Sequence, residues 1–319
     1  MNNTTTNNLS KLSIIIPAYN EKKGIALVLQ DLVDSFTGSE IIVVDDGSND
    51  GTQDEILKYP QITCLSHNFN IGYGAALKTG MRYATREYVA WFDADGQHKA
   101  EDLLIILNRI VSEKKASIIA QRKKMGPSPV RKWGKWIIGS LARSFNVEIG
   151  PDINCGLRIF RRDVISKYLS ILPDGFSASI TSTMVMLERG YPISFHPIET
   201  LPDITPSKVK FSDGFFAIIL VLRTTMLFAP LRIFLRFGIV LILSGLLYGI
   251  VMLYFQRQGV PAAANLVIIV GVLIGIFGLL ADQISQMRLS QYESFNFDVI
   301  NNPTKPVISE KPSDIDNSI

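Results

Sequence analysis

Through the first 120 residues, short apolar runs alternate with stretches whose apolar positions recur at helical spacing. Residues 12–17, 40–45, 62–66, 88–93 and 116–120 are brief, rich in β-branched or aromatic residues and bounded by turn formers, which predicts strands. Residues 24–36, 52–58, 74–84 and 100–112 between them carry the 3.6-residue pattern of helices. Thr52 and Glu55 stand at capping-box spacing, which predicts a helix start just after a Gly-rich turn. This strand–helix rhythm predicts an α/β fold with a mostly parallel sheet covered on both faces. In such a sheet a ligand sits beyond the carboxyl ends of the strands.

Polar clusters fall at those ends. Pro17-Ala18-Tyr19-Asn20-Glu21 follows the first strand, Asp45-Asp46-Gly47-Ser48 the second, residues 68–74 the third and residues 93–97 the fourth. Asp93-Ala94-Asp95 sets two carboxylates one residue apart where a buried strand meets its loop. A solvated turn gives the same short motif, but so does half of a Mg²⁺ site. That ion takes one or two protein carboxylates and completes its shell with water and phosphate oxygens.

The pattern changes in the last third. Residues 237–255 and 260–281 contain no charged side chain, and each approaches the roughly 20 apolar residues that cross a bilayer. The polar link at 256–261 suits a transmembrane hairpin. Residues 211–236 mix Phe, Leu and Ile with Arg223, Arg232 and Arg236, which predicts amphipathic helices lying in the membrane interface. Arg223, Arg232 and Arg236 before the hairpin and Arg288 after it, against Arg257 alone in the link, place both termini in the cytoplasm by the positive-inside rule. The expected organisation is a flexible arm at 1–11, a globular domain at 12–210, the interfacial stretch, membrane helices at 237–255 and 261–281, and a disordered cytoplasmic tail at 292–319.

Composition adds little to this. The N-terminal arm lacks the apolar core of a secretory signal. Cys64 and Cys155 are too few for a disulfide framework, and Cys155 reads as a packing residue rather than a nucleophile. A net charge of +3 on 319 residues does not call for nucleic acid. His67, His98 and His196 show no metal-ligand spacing, and only His98 adjoins the acidic pair. Gly72-Tyr73-Gly74 lacks the third glycine of a dinucleotide loop and follows the third strand, not the first. It is expected to start a helix and to let backbone approach a nucleotide.

Taken as an ordered set, IIIPAYNE, VVDDGSNDGT, NIGYGAALKTG and WFDADGQH resemble the family-2 glycosyltransferases, and within them the polyprenyl-phosphate (dolichyl-phosphate mannosyltransferase-like) branch. The resemblance covers about residues 12–210 and implies a GT-A type nucleotide-sugar-binding domain. It implies inverting transfer of a sugar from a UDP- or GDP-sugar to a polyprenyl phosphate, with Mg²⁺ or Mn²⁺ as cofactor. Pro17, Tyr19 and Glu21 match the nucleotide-contacting first loop, and Asp46 the acidic residue that meets base or ribose. Asp93, Ala94 and Asp95 match the D-x-D motif, with Asp95 the direct metal ligand and Asp93 nearer the sugar nucleotide. Gln97 matches the glutamine that completes the site. Arg122 matches an arginine after the fifth strand, and Arg131, with Lys132 beside it, matches one that holds the acceptor phosphate. Guanidinium forks suit phosphate, while Trp133 and Trp136 suit a membrane interface.

Asp152-Ile153-Asn154-Cys155-Gly156-Leu157-Arg158 resembles the family's D-x-x-x-G-F-R segment, with Leu157 in the aromatic's place. Asp152 is either a general base or, because a polyprenyl phosphate is already ionised, a residue that orients Arg158 or the acceptor. In the expected donor loop Ser207 and Lys208 are kept, but Asp203 and Thr205 stand where the branch has arginine and glycine. Two other readings stay open: a family-2 enzyme using a saccharide or another lipid acceptor, and a non-catalytic membrane adaptor that recruits a partner such as a flippase. Membrane lipid is an expected partner, as is a second copy of the chain.

Overall fold

The computed structural model describes residues 7–122, 155–199, 226, 230–256 and 259–290. The strands are β1 (Leu12–Ala18), β2 (Glu40–Asp45), β3 (Thr63–Ser66), β4 (Tyr88–Trp91), β5 (Ser117–Arg122), β6 (Arg158–Arg161) and β7 (Ile193–Ile198). Helices α1 (Lys22–Ser35), α2 (Thr52–Ile56), α3 (Tyr73–Tyr83), α4 (Ala100–Glu113), α5 (Arg162–Ile165) and α6 (Ala178–Glu188) lie among them. Two long helices follow, α7 (Pro230–Gln256) and α8 (Ala262–Ser290).

One seven-stranded sheet has the order β3-β2-β1-β4-β6-β5-β7. The pairs β3–β2, β2–β1, β1–β4 and β5–β7 are parallel, while β6 runs antiparallel to β4 and to β5. The expected, mostly parallel sheet is present, interrupted by one reversed strand that the sequence pattern did not reveal. Reversal has a consequence for the site. The start of β6, Arg158, pairs with Trp91 at the end of β4 and so lies at the carboxyl edge of the parallel strands.

Alternation along β1 divides the core into two layers. Ile14 and Ile16 pack with Ile25, Leu29 and Leu32 of α1 and Leu103, Ile106 and Leu107 of α4. Ile15 faces the other way, with Ala76, Leu77 and Met81 of α3 and Met186 of α6. Each fully buried Ile or Leu stabilises the domain by about 1.5–3 kcal/mol. Cys155 is completely buried in the first layer, as a packing residue should be.

Helix α2 starts where expected but for a different reason. Gly51 is its cap residue, in the left-handed region at φ 90°, and Thr52 makes no capping bond. Thr52 N donates instead to Asp50 Oδ1 at 3.0 Å, and Thr52 Oγ1 accepts from Glu21 N at 3.0 Å. Its hydroxyl therefore ties two loops together.

Helices α7 and α8 contain the stretches Ile233–Phe255 and Ala262–Met287, each long and apolar enough to cross a membrane. In the most apolar 18 residues of each stretch only 17% are buried, unlike a core helix of a soluble domain. The two helices approach closely through glycine. A Cβ on Gly238 would stand 2.7 Å from Gly271 O, and one on Gly271 2.8 Å from Gly238 O, the small-residue contact of membrane helices. Because α7 begins at Pro230, Arg232 and Arg236 stand within the first two turns of that helix. The rest of the expected interfacial stretch lies outside the described residues, apart from Met226, as do residues 1–6 of the expected arm and the tail. Residues 7–11 of that arm are not a free segment, since Leu9 is 1% exposed and packs in the first core layer.

Candidate active site

The first two strand-end loops are stitched together by hydrogen bonds. Asn20, at φ 53°, donates from its backbone N–H to Ser48 Oγ (2.9 Å) and accepts on its side chain from Asn49 N (3.0 Å). Lys22 N donates to Asp50 Oδ2 at 3.2 Å. These bonds hold Tyr19, 46% exposed, and the partly buried Glu21 at the rim beside the buried Pro17.

Asp46 is 2% exposed, and its carboxylate closes the third loop onto the second. Oδ1 accepts from Ile71 N (3.0 Å) and lies 2.6 Å from His67 Nδ1, while Oδ2 accepts from Gly72 N (2.7 Å). Asp46 thus anchors residues 67–72. The glycines that follow do start a helix, α3, as expected. What they admit, however, is the chain's own backbone: a Cβ on Gly72 would stand 2.5 Å from Asp174 O, and one on Gly74 2.0 Å from Pro173 O.

Asp93-Ala94-Asp95 lies immediately past β4, against the first turn of α1. A Cβ on Gly24 would come within 2.4 Å of Ala94 O, so only glycine lets that helix support the loop. The Asp93 side chain is 24% exposed. Its Oδ1 accepts from the Tyr73 hydroxyl at 2.8 Å, and its Oδ2 faces His98 Nε2 at 3.6 Å, an ion-pair distance too long for a hydrogen bond. Gly156, just before β6, packs so closely that any Cβ would overlap the Asp93 carboxylate.

Electrostatics agree with this geometry. Burial works to raise the Asp93 carboxyl, but His98, Tyr73 and Arg158 outweigh it and hold it below the usual range. Burial opposes charge on His98 too, yet the Asp93 carboxylate and Cys155 raise it to about 10. Tyr73 is pushed well above its ordinary value by burial and by Asp93, so it stays protonated and donates. Arg158 is 0% exposed, stacks over Trp91 at 5.4 Å, and donates to Cys155 O (3.1 Å), Ser179 O (2.6 Å), Ser182 Oγ (3.0 Å) and Thr183 Oγ1 (3.1 Å).

Asp95 Oδ1 accepts from Gln97 N at 3.0 Å. Glu21 is raised above the usual carboxyl value, first by burial and then by Asp95 and Asp50. Negative charge on Asp95 and Asp50 thus disfavours the ionised Glu21, and a divalent cation would relieve that repulsion. No group of three or more His, Cys, Asp or Glu side chains converges as a metal cage among the described residues. An ion held by Asp95 with Asp93 would take its other ligands from water and phosphate, a donor set that fits Mg²⁺ or Mn²⁺.

The structure therefore brings Pro17, Tyr19, Glu21, Asp46, Asp93, Ala94, Asp95 and Gln97 to one edge of the sheet, with the half-buried Arg122 ending β5. Arg131, Lys132, Asp152 and Lys208 lie outside the described residues, as do Trp133, Trp136, Asp203, Thr205 and Ser207. Sequence reading passed over Tyr73, Gly24, Gly156 and the buried network of Arg158. Tyr73 left a trace as the residue between two glycines, and Gly156 and Arg158 stood in the Asp152–Arg158 segment, but none carried a sign of its contact.

Residues 13–169 match the glycosyl transferase family 2 profile, and residues 229–287 match the GtrB C-terminal hairpin. A dolichyl-phosphate beta-glucosyltransferase of Trichomonas vaginalis is 33% identical over 173 residues, 48% of this chain and 53% of that protein. The chain spans about half the length of the T. vaginalis glucosyltransferases it matches. An undecaprenyl-phosphate 4-deoxy-4-formamido-L-arabinose transferase of Serratia proteamaculans is 26% identical over 267 residues, 77% of this chain and 76% of that one. Glucosyl-3-phosphoglycerate synthase from Mycobacterium tuberculosis, solved with Mn²⁺, UDP-glucose and phosphoglyceric acid, superposes with a TM-score of 0.54. Identity there is 16%, over 70% of this chain and 85% of that one, so the likeness shows a shared GT-A fold.

Proposed function

The chain belongs to glycosyl transferase family 2 through residues 13–169, with a GtrB C-terminal hairpin behind that domain, and on that premise we propose its reaction. It transfers a sugar from a UDP- or GDP-sugar to a polyprenyl phosphate at the cytoplasmic face of a membrane. The observation that carries this reading is the acidic loop itself: Asp93 and Asp95 at the carboxyl edge of β4, with the Asp93 carboxylate held by the Tyr73 hydroxyl.

In this reading Pro17, Tyr19 and Glu21 line the nucleotide. Asp46 shapes that wall by holding residues 71 and 72. Asp95 with Asp93 would hold Mg²⁺ or Mn²⁺, and a cation so bound would offset the charge on the departing diphosphate. Gln97 completes that loop. Arg122, Arg131 and Lys132 draw in the acceptor phosphate, Lys208 contacts the donor diphosphate, and Asp152 orients Arg158 or the acceptor. A phosphate oxygen of the acceptor attacks the anomeric carbon from the side opposite the diphosphate. The new C–O bond forms as the bond to the diphosphate breaks, nucleoside diphosphate leaves, and the anomeric configuration inverts. The relatives support the acceptor class, since those reported above act on dolichyl phosphate and undecaprenyl phosphate by name. The paired spanning helices would keep the domain beside such a lipid.

The test pairs Asp95→Asn with a donor panel. Membranes carrying the full chain are incubated with UDP- and GDP-sugars and undecaprenyl phosphate, and the lipid products are weighed. Wild type should yield one polyprenyl-phosphate sugar, and Asp95→Asn should lose at least about a hundredfold in rate with an unchanged melting temperature. Undiminished transfer by wild type in excess EDTA refutes the metal role. Transfer to a saccharide, with none to the lipid phosphate, refutes the acceptor.

A further inference from the structure

Neither the sequence motifs nor the transfer scheme gives Tyr73 a part, yet its hydroxyl donates to Asp93 Oδ1 at 2.8 Å. Its backbone is fixed from both sides. Before it, Ile71 N and Gly72 N donate to the buried Asp46 carboxylate. After it, Ala75 N donates to Asp174 O at 3.0 Å, and Lys78 Nζ reaches Leu172 O at 3.1 Å. The ring stacks on Phe176 with centroids 5.2 Å apart and planes 19° from parallel. Phe176 is itself 74% exposed. A large apolar side chain left so open at a catalytic rim contributes little to the core, and what it touches is this ring.

The hydroxyl is thus the tip of a rigid arm anchored in the β2 loop at one end and in residues 172–176 at the other. It meets one oxygen of Asp93, His98 faces the other, and Gly156 packs against the whole carboxylate. With Oδ1 engaged, the carboxylate has one orientation toward the ligand side. Without the hydroxyl, the 3.6 Å contact to His98 and the packing of Gly156 remain, but no hydrogen bond holds Oδ1, and such sp³–sp² torsions are broad.

We propose that Tyr73 is a positioning residue for sugar transfer: its hydroxyl fixes the Asp93 carboxylate against the donor, and Phe176 holds the ring that carries the hydroxyl. The proposal rests on the transferase reading above. Because Phe at position 73 keeps the ring, the stack and the Asp46 clamp, the nucleotide wall survives the change. Turnover should suffer while nucleotide binding does not.

The full chain in nanodiscs is measured as wild type, Tyr73→Phe and Phe176→Ala. Three readouts are taken: transfer to undecaprenyl phosphate, hydrolysis of the donor without acceptor, and the Kd of UDP or GDP, whichever binds. Tyr73→Phe should lower kcat for both reactions at least tenfold, with donor KM and nucleotide Kd within twofold of wild type. Phe176→Ala, which leaves the hydroxyl in place, should lower kcat to a value between the two. A Tyr73→Phe kcat within twofold of wild type overturns the proposal. So does a loss matched by equal weakening of nucleotide binding, which marks a merely structural role. Wild type that hydrolyses donor but spares the lipid defeats the acceptor assignment while the hydrolysis rates still judge Tyr73. Wild type that does neither ends both.

Discussion

Replacing Gly24 by alanine tests how the acidic loop is held. A Cβ at this position in the first turn of α1 would stand 2.4 Å from Ala94 O and 3.1 Å from Asp95 Cα. Both neighbours are backbone, so no flexible side chain can turn aside. Reaching ordinary van der Waals contact requires helix and loop to part by about 1 Å. On an exposed helix the same substitution stabilises by about 1 kcal/mol. Here overpacking opposes that gain with a cost of about 1–3 kcal/mol, so the net change in stability is a small loss. Function is more sensitive, because a displacement of about 1 Å at reacting groups lowers rates about a hundredfold. Gly24→Ala should therefore fold, with a slightly lower urea midpoint, and transfer sugar about a hundred times more slowly than wild type. Urea unfolding and the transfer assay on one preparation check both halves. A variant that transfers at the wild-type rate while gaining about 1 kcal/mol would show that α1 does not support the acidic loop.

Arg158→Met should cost about 3 kcal/mol in urea unfolding, because Cys155 O and Ser179 O lose a buried charged donor; a loss below about 1 kcal/mol would show that the network is dispensable. His98 gives a pH signature measurable in EDTA. Its folded value, about 10, lies above the ordinary 6.5, so its stabilisation is complete below about pH 6.5, declines as pH rises, and is gone above about 10. His98→Asn should abolish that alkaline decline, and an identical slope in wild type and variant would refute the pairing with Asp93.

The parallel part of the fold was legible because its signals are local. Residues 40–45 read as a strand and form β2 with the same limits, and residues 12–17 fall one short of β1. Their apolar runs, buried on both faces of the sheet, leave a pattern that needs no knowledge of partners. Acidic and polar residues at successive strand ends likewise marked one edge of the sheet, since parallel strands bring all those ends to one side.

Strand β6 was not legible. Arg158-Ile159-Phe160-Arg161 is four residues long and begins and ends on arginine, a pattern that reads as a loop until β4 and β5 are placed on either side. Only the tertiary structure buries Arg158 and sets Gly156 against Asp93. The same holds for Thr52, whose capping spacing is real but whose hydroxyl serves Glu21 and Asp50 once the loops meet. The amino-acid order alone named the candidate residues, because a carboxylate or an aromatic ring is a property of the residue. That Tyr73 holds one oxygen of Asp93, and that Gly156 packs against the carboxylate, depends on contacts between residues 20 and more positions apart. Those distances exist only after the chain has packed.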